Sequence, residues 1–161
     1  MKRLILLLAF LPAFDVQVFA VVAAATVWEV RADGVDTNGG GFVTGASGTD
    51  YTDQAAAQYT FTTATTAGAD AIFLDTQAAA VMVGNILNIT GGTNFDPGSY
   101  EVISVVVGVS MTLDRNCTTA AGSLGTASLG GSKLTLAGVH ASMIDSGTAT
   151  GVPGNICYVK Y

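Results

Sequence analysis

An all-β fold, a small meander-type sandwich or barrel of about seven short strands with one or two short helices, is predicted by three features of this sequence. Charge is scarce, at 11% of 161 residues against about 25% in an ordinary soluble domain. The apolar runs are short and alternate with Thr and Ser instead of repeating at helical spacing. Turn-forming clusters such as Gly91-Gly92 and Asp96-Pro97-Gly98 punctuate them. The same composition excludes several classes. Half the residues are hydrophobic and the mean hydropathy is +0.50, which rules out intrinsic disorder. Six Lys and Arg face twelve Asp and Glu, so no basic patch meets nucleic-acid phosphates. Ala, Gly, Thr and Val stand where a helical bundle would carry Glu and Lys.

The first segment reads as a leader. Lys2 and Arg3 precede an apolar run from Leu4 to Phe14, and small-residue cleavage patterns follow at Val18-Phe19-Ala20 and Ala23-Ala24-Ala25. That is the layout of a secretory signal peptide; an ordered assembly segment is the competing reading. Asp15 and Gln17 interrupt the run, leaving it shorter than the roughly 20 residues of a membrane span. Residues 1–25 are therefore set apart from a β-rich module over 26–131 and a C-terminal segment over 132–161.

Past the leader the expected strands run in order. Thr26 to Arg31 alternates, with Trp28 and Val30 on one face. The segment from Ala32 to Gly41 is a Gly- and Asp-rich turn, and Gln54 to Tyr59 has the composition of one or two helical turns capped by Thr52 or Asp53. Beta-rich runs follow at Tyr59–Thr63, Ala71–Leu74, Asn85–Thr90, Tyr100–Val107 and Ser110–Leu113. Gln77 to Val83 is a second short helical candidate. Gly108 turns the chain between two hairpin partners. Thr118 to Gly131, almost all Ala, Gly, Ser and Thr, reads as a loop or linker. Ile156 to Tyr161 is a last strand, expected to protect its edge either against the Trp28 strand or against a neighbouring subunit. Strand-centre positions give an expected core of Trp28, Val30, Ile72, Leu74, Ile86, Ile89, Val102, Ile103, Val105 and Leu113, with one of Val102 and Ile103 turned outward.

The stretch Trp28-Glu29-Val30-Arg31-Ala32-Asp33-Gly34-Val35-Asp36-Thr37-Asn38-Gly39-Gly40 resembles the opening of right-handed parallel β-helix proteins, pectate-lyase-like enzymes and phage appendages among them. Gly154-Asn155-Ile156-Cys157-Tyr158-Val159-Lys160 is similar to the strand that starts their first coil, and Phe42–Ser132 resembles an N-terminal module of such proteins. The resemblance implies the head of a β-helix protein, cut off at the first coil. The family's activity, carried by stacked coils, would then fall outside this chain.

Candidate chemistry is thin. Asp33, Asp36 and Asn38 offer side-chain oxygens for Ca²⁺; the competing reading is an Asx/Gly turn that satisfies its own backbone. Gly39-Gly40-Gly41 lacks the Lys-Ser/Thr of a phosphate loop. Asp50 and Asp53 form a possible carboxylate pair for glycoside hydrolysis, without the aromatics of a sugar cleft. His140, Ser142 and Asp145 lie close in sequence, which by itself does not build a nucleophilic triad. Asp114-Arg115 reads as a turn charge pair. Cys117 and Cys157 are either one disulfide closing a long loop or two small buried hydrophobes. Asn88 and Asn116 head formal N-glycosylation sequons. No catalytic residue and no cofactor are expected. The functional expectation is a structural or attachment protein on a cell exterior or virion surface, self-associating or joined to other structural subunits, with a surface glycan as a further partner, no nucleic acid, and no membrane apart from the leader. Two alternatives stand beside it: a secreted fibre subunit assembling by strand addition, and the N-terminal part of a β-helix polysaccharide lyase or hydrolase.

Overall fold

A computed structural model describes residues 27–41, 54–76, 83–145 and 156–160. Eight strands and one helix follow in the order β1 (Val27–Arg31), β2 (Tyr59–Ala64), β3 (Ile72–Leu74), β4 (Ile86–Phe95), β5 (Gly98–Val106), β6 (Ser110–Leu113), β7 (Thr118–Leu129), α1 (Leu136–Asp145) and β8 (Ile156–Lys160). The all-β reading holds.

Strands β2 to β7 make an antiparallel six-stranded sheet in the order β2-β7-β4-β5-β6-β3. Its two ends meet: Thr65 and Leu74 exchange backbone hydrogen bonds of 3.2 and 2.9 Å. The sheet is thus a nearly closed barrel, which removes most of the exposed edge an open sheet would carry. Only β4-β5-β6 is a true meander, because β3 crosses to β6 and β2 to β7.

Inward-facing side chains fill the barrel with Phe61, Phe73, Leu87, Ile89, Phe95, Val102, Met111, Leu113 and Leu129, all buried. Phe73 is the hub, with its ring centroid 5.5 Å from Phe61 and 5.8 Å from Phe95 in edge-on geometry, the arrangement aromatic quadrupoles favour. Phe73 rather than its neighbours points inward. Ile72 and Leu74, expected in the core, therefore lie outside at 40% and 37% exposure, because alternation admits one parity only. Trp28, Val30, Ile86, Ile89, Val102 and Leu113 are buried as expected, Val105 is half-buried, and Ile103 is the outward member of its pair.

The largest correction concerns Thr118–Gly131. It is no linker: twelve of its residues form β7, the strand at the centre of the β2-β7-β4 layer. Its small residues serve packing. A Cβ added at Gly125 would lie 2.6 Å from the Phe95 ring, and one at Gly122 would lie 2.8 Å from it, so the missing side chains are the space Phe95 occupies. Gln54–Gln58 is not helical and leads directly into β2. Gly91 and Gly92, read as a turn, sit inside β4 at a run of register shifts, where bulges bend the strand around the barrel. Helix α1 was not expected; Gly138 and the β-branched Val139 and Ile144 interrupt its Leu, Ala and Met residues. Most of the second helical candidate, residues 77–82, lies outside the described residues, as do residues 1–26.

The second sheet is parallel. β1 pairs with β8 in the register Val27↔Ile156 to Arg31↔Lys160, so the C-terminal strand does return to the Trp28 strand. On its other edge β1 bonds to Lys133, with Lys133 N donating to Glu29 O at 2.8 Å and Arg31 N donating to Lys133 O at 3.0 Å. Trp28, Val30, Ile86 and Val139 of α1 form a separate small core against this sheet.

Replacing Gly125 by Ala is expected to cost about 1–3 kcal/mol, the usual range for overpacking. Urea denaturation should show a lower midpoint with an unchanged slope.

Candidate functional site

Polar and charged groups concentrate where the loop after β1 meets the chain between β7 and α1. Glu29, Asn38, Ser132 and Lys133 are all buried here. The loop reaches every neighbouring element. Val35 N donates to Ser132 O at 3.1 Å, and Asn38 Nδ2 donates to Ala55 O and Ser132 O at 2.7 and 2.8 Å. The carbonyl of Thr37 accepts from Asn88 Nδ2 of β4 and Ser128 Oγ of β7.

Asp36 braces the N-cap of the helix. Its carboxylate accepts from Leu134 N, Thr135 N and Thr135 Oγ1 at 2.9, 2.9 and 2.8 Å. Thr135 Oγ1 in turn accepts from Gly138 N at 2.9 Å, an N-cap bond. A carboxylate at a helix start also meets the positive end of the helix dipole. Gly40 adopts φ +68°, and a Cβ there would lie 2.9 Å from the Trp28 ring and 3.0 Å from Lys133 Cε. Its smallness and left-handed backbone let the loop cross over the tryptophan.

Lys133 is 1% exposed. Its Nζ donates to Asp36 O at 2.9 Å, and burial pushes its pKa down to about 8 despite the nearby charge of Asp36. On the other face of β1, the Glu29 carboxylate is 3.0 Å from Lys160 Nζ of β8 and 3.6 Å from Arg31 Nη1. Arg31 also holds Asp33, through Nε at 2.8 Å and Nη2 at 3.2 Å, and that bond lowers the Asp33 pKa. Arg31, Ala32, Asp33 and Lys160 border an open cavity of about 380 Å³.

The three candidate calcium ligands are consequently dispersed. Asp33 turns to Arg31, Asp36 to the start of α1, and Asn38 points its amide donors at backbone carbonyls. Among the described residues no group of three His, Cys, Asp or Glu comes together. The turn reading survives in altered form, since Asp36 satisfies backbone almost a hundred residues away rather than its own. Gly40, the middle residue of the triple glycine, packs on Trp28.

Cys117 and Cys157 are both free thiols. Cys117 is buried in the barrel, where desolvation raises its pKa to about 11. Cys157 is exposed on β8. Partial desolvation of its sulfur, then the charge of Glu29, raises its pKa. His140 is exposed on α1 while Ser142, two residues on, is buried, so the helix turns them to different sides; the Asp145 side chain lies outside the described residues, as do Asp50 and Asp53. Asp114-Arg115 does more than close a turn. Asp114, its side chain 3% exposed, binds Arg115 Nη1 at 2.9 Å and accepts from Glu101 N at 3.0 Å. Arg115 donates to Ser99 O and stacks 4.0 Å over the Tyr100 ring, and desolvation raises the Asp114 pKa. Asn88 sits on β4 with its amide bonded to the loop, and Asn116 is exposed.

One concave surface escaped sequence reading. The outer face of β2, β7 and β4 floors an uncharged groove of about 440 Å³, lined by Thr60, Thr62, Thr90, Thr126 and Ser128, with Val35 and Ala56 among its walls. Only the alternation T-F-T in β2 and T-A-S in β7 signalled these hydroxyls, and it needed the strand assignment of β7 to be read. Comparison with known families, curated proteins and solved structures finds no match.

Lys133→Met is expected to stabilise the fold at pH 7 by up to about 3–4 kcal/mol, from a shift of 10.5 to about 8 at about 1.4 kcal/mol per unit. The folded chain releases this proton before the unfolded chain does, so the wild-type penalty is full below pH 8 and fades as pH rises to 10.5. Cys117 acts in the opposite sense above pH 9, because its thiol stays protonated in the fold. The difference between wild type and variant isolates the lysine: it should shrink from pH 8 to 10.5 in paired urea titrations.

Proposed function

We propose that this protein is a non-enzymatic structural or attachment protein, the β-rich head of an extracellular or virion appendage. The observation that carries the reading is the parallel strand β1, held along both backbone edges by partners distant in sequence, Lys133 on one side and β8 on the other. Strands that stack in parallel with long connections are the unit of a solenoid. The barrel emerges from one of those connections, as a head does from a shaft. Its hydroxyl-lined, uncharged groove suits a neutral surface glycan better than an acidic one, which the net charge of −6 would repel.

A second reading, a fibre subunit that assembles by strand addition, is favoured by β8 itself. Among the described residues β1 is its one strand partner, and Cys157, Tyr158, Val159 and Lys160 are all exposed. Glu29 and Arg31 spend their backbone groups on Lys133. Alternation in a parallel ladder then directs Trp28 and Val30 at β8, where they engage the amides of Tyr158 and Lys160. The amides of Cys157 and Val159 face away, towards any strand added next.

Hydrogen exchange resolved to single amides separates the two. Tyr158 and Lys160 are expected to exchange slowly at every concentration. Protection of Cys157 and Val159 that grows with concentration would favour the fibre reading, and fast exchange at all four would remove the strand arrangement on which both readings rest. The purified full chain is also expected to leave pectate and alginate intact. Turnover lost on Asp50→Asn or Asp53→Asn would overturn the non-enzymatic role.

A further inference from the structure

The groove over β2, β7 and β4 presents hydrogen-bonding atoms of two kinds. Asn38, at one end, is 6% exposed, and both of its Nδ2 hydrogens are committed to backbone carbonyls, Ala55 O at 2.7 Å and Ser132 O at 2.8 Å. Those two bonds fix the plane of the amide. Its Oδ1 has no partner among the described residues, and it is the polar atom that this side chain has left for the groove Asn38 lines. A side-chain carbonyl on so buried a residue ordinarily has a partner. The hydroxyls divide by where their protons go. Ser128 Oγ donates to Thr37 O, so towards the groove it only accepts. Thr90 Oγ1 donates to Thr126, 2.9 Å from its Oγ1 and 3.2 Å from its carbonyl, which leaves the Thr126 proton to face outward. Thr60 and Thr62 are exposed, and their hydroxyls have no partner among the described residues.

Acceptors therefore stand at Asn38 and Ser128, and donors at Thr60, Thr62 and Thr126. Thr60 and Ser128 are ladder partners, which puts a donor and an acceptor on strands about 4.8 Å apart. What fits donates and accepts at neighbouring atoms, as the hydroxyls of a sugar do. A carboxylate only accepts and would face Asn38 Oδ1 and Ser128 Oγ with no proton between them; an ammonium only donates and would leave the threonine protons unused. Asp36, beside Thr37 in sequence, turns its carboxylate away to Leu134 and Thr135. A peptide strand would find no ladder to join, because β7 and β4 have both backbone edges paired within the sheet. Val35, 47% exposed on the wall, offers methyl groups to the C–H face of a ring. The volume of about 440 Å³ falls within the range of small-ligand sites.

We propose that this groove binds a neutral sugar of a surface glycan, with Asn38 Oδ1 and Ser128 Oγ accepting from its hydroxyls and Thr60, Thr62 and Thr126 donating to its oxygens. This rests on the attachment reading above and names the atoms that would select the ligand. Nuclear magnetic resonance titration of the purified full chain tests it, with maltohexaose, cellohexaose and mannohexaose as neutral probes and hexagalacturonate as the acidic one. At least one neutral hexaose is expected to shift the amides of Thr60, Thr62 and Thr126 saturably, at concentrations where hexagalacturonate leaves them in place. The double variant Thr60→Val, Thr62→Val is expected to weaken that binding about tenfold, as the loss of two hydrogen bonds implies, without lowering the thermal midpoint. Thr93→Val, exposed on β4 outside the groove, should leave the affinity intact. Groove amides that respond to none of the neutral hexaoses would overturn the proposal. So would equal binding of hexagalacturonate, shifts reproduced by glycerol at the same hydroxyl concentration, or an affinity indifferent to the double variant. Any of these removes the sugar site alone and leaves the structural role standing; carboxylate-dependent polysaccharide turnover removes the role itself.

Discussion

Backbone pairing between Lys133 and β1 is the constraint that joins the two halves of this molecule. Two hydrogen bonds, at Glu29 and Arg31, fix the chain leaving the barrel alongside the chain entering it. That pairing forces the Lys133 side chain onto the face of Trp28 and Val30, into the small core. A buried ammonium is costly unless it is bonded, and the carbonyl of Asp36 provides the bond. Placing Asp36 there leaves its carboxylate at the start of α1, so one loop residue serves two elements. Gly40 completes the arrangement by crossing Trp28 where any side chain would collide.

The barrel obeys a separate logic. A six-stranded barrel has a narrow interior, and three edge-packed phenylalanines fill much of it. Wide rings in a narrow barrel require some wall positions to carry no side chain, which accounts for the glycines of β7 opposite Phe95. Closure through Thr65 and Leu74 then needs a single pair of residues, because the curvature has already been supplied by the bulges of β4 and β7.

Much of the fold was legible in the sequence. Alternation and turn residues placed β1, β5, β6 and β8; the need to cover a strand edge left β8 to pair with β1 or with a neighbouring subunit, and the fold takes the first. Two elements were hidden for opposite reasons. β7 lacks bulky residues because its partners fill the space, so composition looked like a linker while tertiary packing made a central strand. α1 has a local N-cap in Thr135, but Thr135 is itself held by Asp36, about a hundred residues upstream, and no local window contains that support. Phe73 illustrates a third limit: in a three-residue strand, parity alone decides which side chains are inside, and sequence offers no anchor for it. The charged residues of the loop were visible as a cluster, but their destinations were set by elements far along the chain.

The entrance and exit of the barrel lie side by side, with Gly40 bridged to Gly130 and Val35 to Ser132. A body held by one tether swivels; a body held by two adjacent chain segments hydrogen-bonded to one another does not. A pull on the barrel along the strand direction loads the parallel ladder in shear, the geometry in which several bonds must break together. The mount is stiff, and it makes the orientation of the barrel a fixed property of the molecule.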